Sequence, residues 1–354
     1  MPFHDLPNEI LLEINNNLGC ANHRSMLART SRGLYHLLYR PLYQYNIDHQ
    51  HCSGLIWSVR HLKIAKSIFF LGLPRVNVNS RDQKEQTSLH VAAMQDDGHY
   101  MVRILVTQEG INFNAVDKFG RTPLYDAVLS ENIFSLQMLL GRYDIDVNFP
   151  DSRGFTPLHL AVMTENKPAV KKLLADQRTL PNKQAKLGRA FPLTFAATGG
   201  DPEMLSIFLR AARTDINSRC RGGLIAPFPL ATALTNKHES FSLRMLHAPG
   251  LDLNEIHALG MTPLQLGIHF DQMKFVHELL SRPGIELNRQ GTDGKTAVMT
   301  AALNKNTTAL KILLAKLEVD VSIQCGRGYT VLDYAKGCND TEILSIVKPS
   351  GRFG

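Results

Sequence analysis

Two short segments carry residue types that could do chemistry, one on a phosphate group and the other on a metal ion. Gly291–Thr296 contains the Gly-Lys-Thr end of a phosphate-binding loop, but Arg289 stands where such a loop needs its first glycine. His49, His51 and Cys52 could bind a metal ion, yet no fourth ligand follows at a suitable spacing. Nucleophile-elbow and HExxH motifs are absent from the chain. We therefore expect no catalytic, cofactor or metal site and no enzymatic activity.

The composition is typical of a soluble globular protein with a mildly basic charge. Of the 354 residues, 44% are hydrophobic and 20% are charged, and 39 Lys and Arg against 32 Asp and Glu leave a net charge of +7. This charge permits an acidic partner or nucleic acid without deciding between them. The five cysteines form no CxxC pair, so we expect a reducing compartment, either cytoplasmic or nuclear. No apolar run approaches the roughly 20 residues that span a bilayer, and we expect no secretory signal.

A four-residue motif of the type Thr-Pro-Leu-His recurs eight times, at intervals of 34 to 37 residues. A polar residue, usually asparagine, closes an extended triplet before each copy and follows a matching spacing. Because the two spacings agree over eight copies, we expect a chain of structural repeats. The motif begins at Thr87, Thr122, Thr156, Phe191, Phe228, Thr262, Thr296 and Thr330, and the polar residues are Asn79, Asn114, Asn148, Asn182, Asn217, Asn254, Asn288 and Ser322.

Each repeat is predicted to be a pair of short helices that cannot fold alone. In the third copy, Thr156 can cap the amino end of a helix, and Pro157 suits the first turn of that helix. Two apolar stripes with helical spacing follow, one on each helix. Since neither helix could bury its stripe by itself, neighbouring copies must stack. The stripe residues are Leu158, Ala161, Val162, Ala169, Val170, Leu173 and Leu174.

The Thr-Pro-Leu-His motif resembles the ankyrin repeat. The resemblance implies an all-α ankyrin-repeat solenoid of helix-turn-helix units with projecting β-turn or hairpin loops. It also implies that His90 and His159 tie adjacent turns together by hydrogen bonds. We expect eight repeats over residues 79–348, the last of them a C-terminal cap, then a disordered tail at 349–354. Residues 49–78 are predicted to be a degenerate first repeat.

The first 48 residues differ from the repeats and are predicted to form three short helices. Ile10, Ile14 and Leu18 recur at four-residue steps, which favours an amphipathic helix. The opening Leu6–Ile10, the middle Leu27–Arg32 and the closing Leu34–Tyr43 resemble an F-box. An F-box followed directly by ankyrin repeats is an arrangement common in filamentous fungi.

The F-box resemblance implies a substrate receptor of an SCF-type ubiquitin ligase. The F-box of such a receptor docks on the Skp-type adaptor of a cullin ligase, and the repeat domain holds the target protein. The alternative is an ankyrin-repeat scaffold or regulator without a ubiquitin role, in which the N-terminal helices only cap the first repeat. The residues that match the adaptor-facing positions are Leu6, Pro7, Ile10, Leu11 and Ile14.

The spacing between the polar residue and the next motif measures the length of a turn. It is eight residues in six copies, nine from Asn182 to Phe191 and eleven from Asn217 to Phe228. Insertions in repeat proteins map to loops on one face, which is often the binding face. The two longer turns are basic and lack acids, so we predict that they bind an acidic or phosphorylated protein segment; nucleic acid and a merely solvated turn are the alternatives. The predicted target-binding residues are Lys183, Lys186, Arg189, Arg219 and Arg221.

A glycine lies two residues before most copies of the motif, as Gly120 and Gly154 do. This recurrence predicts a turn that needs a positive φ angle. Glu85 takes the place of that glycine before Thr87, so we expect a less regular turn there.

Overall fold

The computed structural model describes residues 53–186, 190–218, 228–257 and 259–348, and the regular structure in these ranges is entirely helical. The all-α prediction is therefore confirmed there. The described residues contain nine pairs of short helices and a 3-10 helix at Asp96–Gly98. The pairs are α1 (Ser53–Arg60) and α2 (Ile64–Leu71); α3 (Ser88–Ala93) and α4 (His99–Leu105); α5 (Pro123–Leu129) and α6 (Ile133–Leu140); α7 (Pro157–Met163) and α8 (Lys167–Ala175); α9 (Pro192–Gly199) and α10 (Pro202–Arg210); α11 (Pro229–Thr235) and α12 (Glu239–Leu246); α13 (Pro263–His269) and α14 (Met273–Leu280); α15 (Ala297–Leu303) and α16 (Thr307–Leu314); α17 (Val331–Gly337) and α18 (Thr341–Val347).

Several predictions from the sequence fall outside the described residues. They are the F-box-like helices at 1–48 with their adaptor-facing residues, the metal-ligand candidates His49, His51 and Cys52, and the tail at 349–354.

The recurring motif forms the start of the first helix in the eight pairs from α3 onward. The Thr122 side chain accepts a hydrogen bond from the Tyr125 backbone N–H, and Thr156 accepts one from His159 in the same way. An N-cap of this kind stabilises a helix by about 1 kcal/mol, and a proline at the first position is already set for helical φ. Phe191 and Phe228, which replace threonine after the two longer turns, cap no backbone group with their side chains.

The two helices of a pair bury the apolar stripes that the sequence predicts. In the pair α7 and α8, Leu158, Ala161 and Val162 are buried on the first helix, and 169–170 and 173–174 are buried on the second. Burial of one such aliphatic side chain contributes about 1.5 to 3 kcal/mol, so the stacked pairs supply most of the stability of each repeat.

The chain divides into two compact units, and the division falls after Ser152. In the first unit, α1, α3 and α5 pack in sequence order as inner helices, and α2, α4 and α6 pack as outer helices. In the second unit, the inner helices α7, α9, α11, α13, α15 and α17 follow the same order beside the outer helices. Each repeat thus packs mainly on its immediate neighbours, as a stacked-repeat fold requires.

The turn at Glu85 has the same conformation as the glycine-containing turns, so the prediction of a less regular turn is wrong. Glu85 adopts a positive φ of 60°, and its N–H donates to the Asp82 carbonyl at 2.9 Å. Gly120 has a φ of 74° and makes the same bond to Asp117. The Asp82 carboxylate also accepts hydrogen bonds from the N–H groups of Lys84 and Gln86. These bonds hold the turn in the left-handed conformation despite the cost of a side chain there.

Candidate interaction surface

The projecting turns are the segments before the inner helices, and in most of the described repeats a backbone hydrogen bond closes the turn across five residues. In the turn of residues 117–121, the Asp117 carboxylate accepts hydrogen bonds from the N–H groups of Phe119 and Arg121, at 2.8 and 2.9 Å. The Asp117 N–H donates to the Arg121 carbonyl at 3.0 Å and closes the turn. Successive turns also bond to one another, since the Ser152 N–H donates to the Phe119 carbonyl at 3.0 Å. Within the described ranges, these turns therefore present an ordered edge rather than separate loose loops.

Histidines of the repeated motif tie neighbouring turns together, as the resemblance implies. The Thr87 N–H donates to His90 Nδ1 at 3.1 Å, and His90 Nε2 donates to the Arg121 carbonyl at 2.9 Å. Burial lowers the pKa of His90, which keeps the ring neutral and able to make both bonds. His159 reaches the Ala190 carbonyl at 3.3 Å, and Gln265 makes the equivalent bond in α13. A structural role therefore accounts for these histidines.

The asparagines that recur before each turn link one repeat to the next. Asn79 Nδ2 donates to the Gly110 carbonyl at 2.7 Å, and its Oδ1 accepts from the Asn112 N–H at 2.7 Å. These bonds give a structural reason for the regular spacing of the asparagines, which the sequence analysis used only to measure the repeat interval and the turn length. Ser322, in the last repeat, bonds within its own turn to Asp320 instead. The same two bonds are made by Asn114, Asn182, Asn217, Asn254 and Asn288.

The structure brings two of the five predicted target-binding residues onto one turn. Lys186 is exposed and Lys183 is partly exposed, while Arg189, Arg219 and Arg221 lie outside the described residues. The Ala185 N–H donates to the Ala190 carbonyl at 3.0 Å, which is the bond that closes this turn. The bond between Ala185 and Ala190 spans one residue more than the equivalent bond between Asp117 and Arg121. The inserted residue of the nine-residue spacing therefore lies, in the sequence, between Ala185 and Ala190.

A buried carboxylate lies on the inner helix of the third pair. Asp126, on α5, is fully buried, and neither carboxylate oxygen has a hydrogen-bond partner among the described residues. Burial raises the pKa of Asp126 to about 8; the charge of Asp117 adds to the shift, and that of Arg121 opposes it. The equivalent positions in neighbouring repeats hold Val91 and Leu160. Asp126 is thus a polar group at a position that is apolar in the neighbouring repeats. The sequence analysis did not single it out, although aligning the repeats shows the difference.

The described residues offer no evident site for catalysis. Groups of His, Cys, Asp and Glu that could hold a metal ion are not found in the ranges that the structure describes. Gly291–Thr296 forms a projecting turn in which the Thr292 N–H donates to the Gly260 carbonyl at 2.8 Å. The buried Cys325 takes the place of the turn aspartate, because its Sγ accepts a hydrogen bond from the Arg327 N–H. In the described part of the chain, no helix has the length and apolar character needed to cross a membrane.

Stacked helix pairs with hydrogen-bonded projecting turns define a class of repeat protein that binds other proteins. The chain matches three models of ankyrin repeats: a three-copy model over residues 55–151, a single-repeat model over 153–186 and a many-copy model over 279–335. Together these matches cover more than half of its length. It belongs to the ankyrin-repeat family.

Known proteins match this chain over part of their length. The chain is 29% identical over 140 residues to the human transient receptor potential cation channel subfamily A member 1, and 30% identical over 144 residues to alpha-latrotoxin-Lg1a of Latrodectus geometricus. These matches cover 38% and 39% of this chain, but only 12% and 10% of those proteins. The crystal structure of the ankyrin repeat domain of Bcl-3, described as a member of the IkappaB family, superposes with a TM-score of 0.57 at 22% identity. It covers 65% of this chain and 100% of that domain, and it supports the solenoid fold.

Proposed function

We propose that this chain is the substrate receptor of an SCF-type ubiquitin ligase. In this proposal residues 1–48 form the F-box-like segment that docks on the Skp-type adaptor, and the ankyrin repeats hold the target. The observation that carries the proposal is the succession of an F-box-like segment and a long protein-binding repeat array in one chain. The complex would form in the cytoplasm or the nucleus. The residues assigned to the adaptor are Leu6, Pro7, Ile10, Leu11 and Ile14.

Co-elution with a purified Skp-type adaptor tests this proposal. Replacing Leu6, Pro7 and Ile10 by alanine should abolish co-elution, because the triple variant loses apolar surface at the adaptor-facing positions. Helical content should stay nearly unchanged, since these residues precede the repeats in the sequence. Adaptor binding that survives in the triple variant contradicts the assignment.

The target is proposed to bind the two longer turns through their positive charge. Supporting this are the exposure of Lys186 and the two turn insertions, because a purely structural turn has no reason to lengthen. An acidic or phosphorylated segment would accept charge-assisted hydrogen bonds from the lysines and arginines of both turns. These residues are Lys183, Lys186, Arg189, Arg219 and Arg221.

Charge reversal tests the target site separately from the adaptor site. The quadruple variant Lys186→Glu, Arg189→Glu, Arg219→Glu and Arg221→Glu should lose target proteins, most strongly at low salt, because salt screens exposed charges. Adaptor binding should stay unchanged. In a matched control, Lys172→Glu and Lys336→Glu reverse exposed charges on helices and should leave target capture intact. If the quadruple variant captures targets with unchanged yield at low salt, the basic turns are not the target site, and the inner helix face becomes the surface to test.

A second candidate is a scaffold or regulator in which residues 1–48 only cover the first helix pair. The exposed apolar side chains of that pair favour it: Trp57, Ile64 and Ile68 are 48%, 37% and 52% exposed. A cavity of about 610 Å³, lined in part by Trp57 and Arg60, lies beside them. Trp57 is the only tryptophan in the sequence, so tryptophan fluorescence measures directly whether other residues cover this side chain. If the N-terminal helices are only a cap, Ile10→Asp should raise acrylamide quenching of Trp57, and no adaptor should co-elute.

A further inference from the structure

Two aromatic side chains project from the outer helices of the first unit. Tyr100 is the second residue of α4 and Phe134 the second residue of α6, and they are 54% and 67% exposed. The His99 ring lies against both, with ring centroids 4.1 Å from Tyr100 and 5.3 Å from Phe134. Since α4 and α6 pack on each other, the half-buried His99 ring joins the two exposed rings into one aromatic patch.

This aromatic patch departs from the repeat pattern. The second residue of an outer helix is small, polar or proline in every other described pair: Ala65, Pro168, Glu203, Ser240, Lys274, Thr308 and Glu342. The fold therefore does not require a large apolar side chain at this position. Exposed aromatic groups that adjoin one another mark interaction sites more often than single exposed residues do.

Three carboxylates border the aromatic patch. The second repeat is one residue longer between its two helices, and this longer connection contains the 3-10 helix Asp96–Gly98, in which Asp96 and Asp97 are exposed just before α4. Asn132 Nδ2 donates to the Gln95 carbonyl at 2.5 Å and fixes this turn against the next repeat. Glu131, exposed and with a positive φ, lies just before α6. One exposed basic residue, Arg103, lies one helical turn beyond Tyr100 on the same helix, so the three carboxylates outnumber the one cation near the rings.

We propose that this aromatic edge (Asp96, Asp97, Tyr100, Glu131 and Phe134) docks a basic segment of a partner protein that carries Arg or Lys beside an apolar residue. The ring faces of Tyr100 and Phe134 attract a cation and offer apolar contact to its neighbour. The three carboxylates accept charge-assisted hydrogen bonds from the same cations and repel acidic partners. Exposed aromatic residues of this kind commonly supply most of the binding energy at an interface. The edge is distinct from the basic turns and requires neither the adaptor nor the target site.

Differential peptide selection on the full chain tests the proposal. A phage library of random 12-residue peptides is first depleted on the Tyr100→Ser, Phe134→Ser double variant and then selected on the wild-type chain. The recovered peptides should be rich in Arg or Lys flanking an apolar residue. As synthetic peptides measured by fluorescence anisotropy, they should bind the double variant at least ~10-fold more weakly. The Asp96→Asn, Asp97→Asn variant, which keeps both rings, should weaken binding several-fold, and more at low salt.

Tyr143→Ser is the matched control, because Tyr143 is an 86% exposed aromatic residue of the same unit outside the edge. This variant should bind the peptides as the wild type does. Circular dichroism and thermal unfolding confirm that each variant keeps its fold. The proposal is overturned if no peptide is recovered, if the recovered peptides are acidic or uncharged, or if they bind the double variant as tightly as the wild type.

Discussion

Asp126→Asn should stabilise the protein, and by more at pH 8 than at pH 5. Asp126 is fully buried without a hydrogen-bond partner among the described residues, and its pKa is raised from 3.8 to about 8. The folded state therefore binds a proton that the unfolded state releases as pH rises through 3.8. Stability is unaffected below that pH, falls between about 4 and 8, and levels off above the folded pKa. Asparagine keeps the volume of the side chain and removes the ionisable group.

The size of the effect follows from the shift. At about 1.4 kcal/mol per pKa unit, ionisation of Asp126 lowers the free energy of unfolding by roughly 2 kcal/mol at pH 5 and by roughly 5 kcal/mol at pH 8. Between pH 5 and pH 8, the free energy of unfolding of the wild type should therefore fall by about 3 to 4 kcal/mol more than that of the Asp126→Asn variant. Replacing Asp126 by leucine, the residue that Leu160 and Leu266 supply in other repeats, should stabilise further by burying apolar surface.

Urea unfolding followed by circular dichroism at 222 nm measures this difference. Wild type, Asp126→Asn and the control Asp97→Asn, which removes an exposed carboxylate of the same unit, are compared at pH 5 and pH 8. The control should follow the wild type. Equal pH dependence of wild type and Asp126→Asn would refute the reasoning, because the buried carboxylate would then titrate alike in the folded and unfolded states.

Three further predictions concern the links between repeats. His90→Gln should keep both turn bonds, as Gln265 does in α13. The wild type should lose stability as pH falls below 6.5 toward the lowered folded pKa of His90, and the variant should not show this loss. Unfolding midpoints at pH 7 and 5 measure the difference, and an equal loss in both chains contradicts the prediction. Asn254→Ala should cost about 1 to 2 kcal/mol through two lost bonds to the next repeat, whereas Ser322→Ala, whose hydroxyl bonds within its own turn, should cost less in the same urea assay. Truncation before Met261 should expose an uncapped helix face and cause aggregation or loss of cooperative unfolding, and a soluble, cooperatively folding product would show that the last repeats are not a needed cap.

The regular part of the fold could be predicted because each signal acts locally. A threonine before a proline specifies a helix start through one side-chain bond, and the apolar stripes follow from helical spacing. Glu85 was misjudged because its conformation depends on the Asp82 carboxylate bonds, which the glycine pattern does not reveal. The role of Asn79 and its equivalents requires a contact about 30 residues further along the chain, so spacing alone showed the recurrence without its cause.

Other features were harder to recognise because they are departures from the repeat rather than part of it. Asp126, Tyr100 and Phe134 become visible only when each repeat is aligned position by position and the side chains are compared with their equivalents. The long turn at Lys186 was visible as a change of spacing, but locating the inserted residue needed the bond between Ala185 and Ala190.

Affinity purification of the full chain with mass spectrometry tests the central claim most directly. If the chain is an SCF-type receptor, a Skp-type adaptor and a cullin should co-purify with the wild type, and both should disappear with the Leu6→Ala, Pro7→Ala, Ile10→Ala variant while repeat-bound targets remain. Recovery of targets without any adaptor or cullin from the wild type would contradict the receptor function and favour a scaffold with a helical cap.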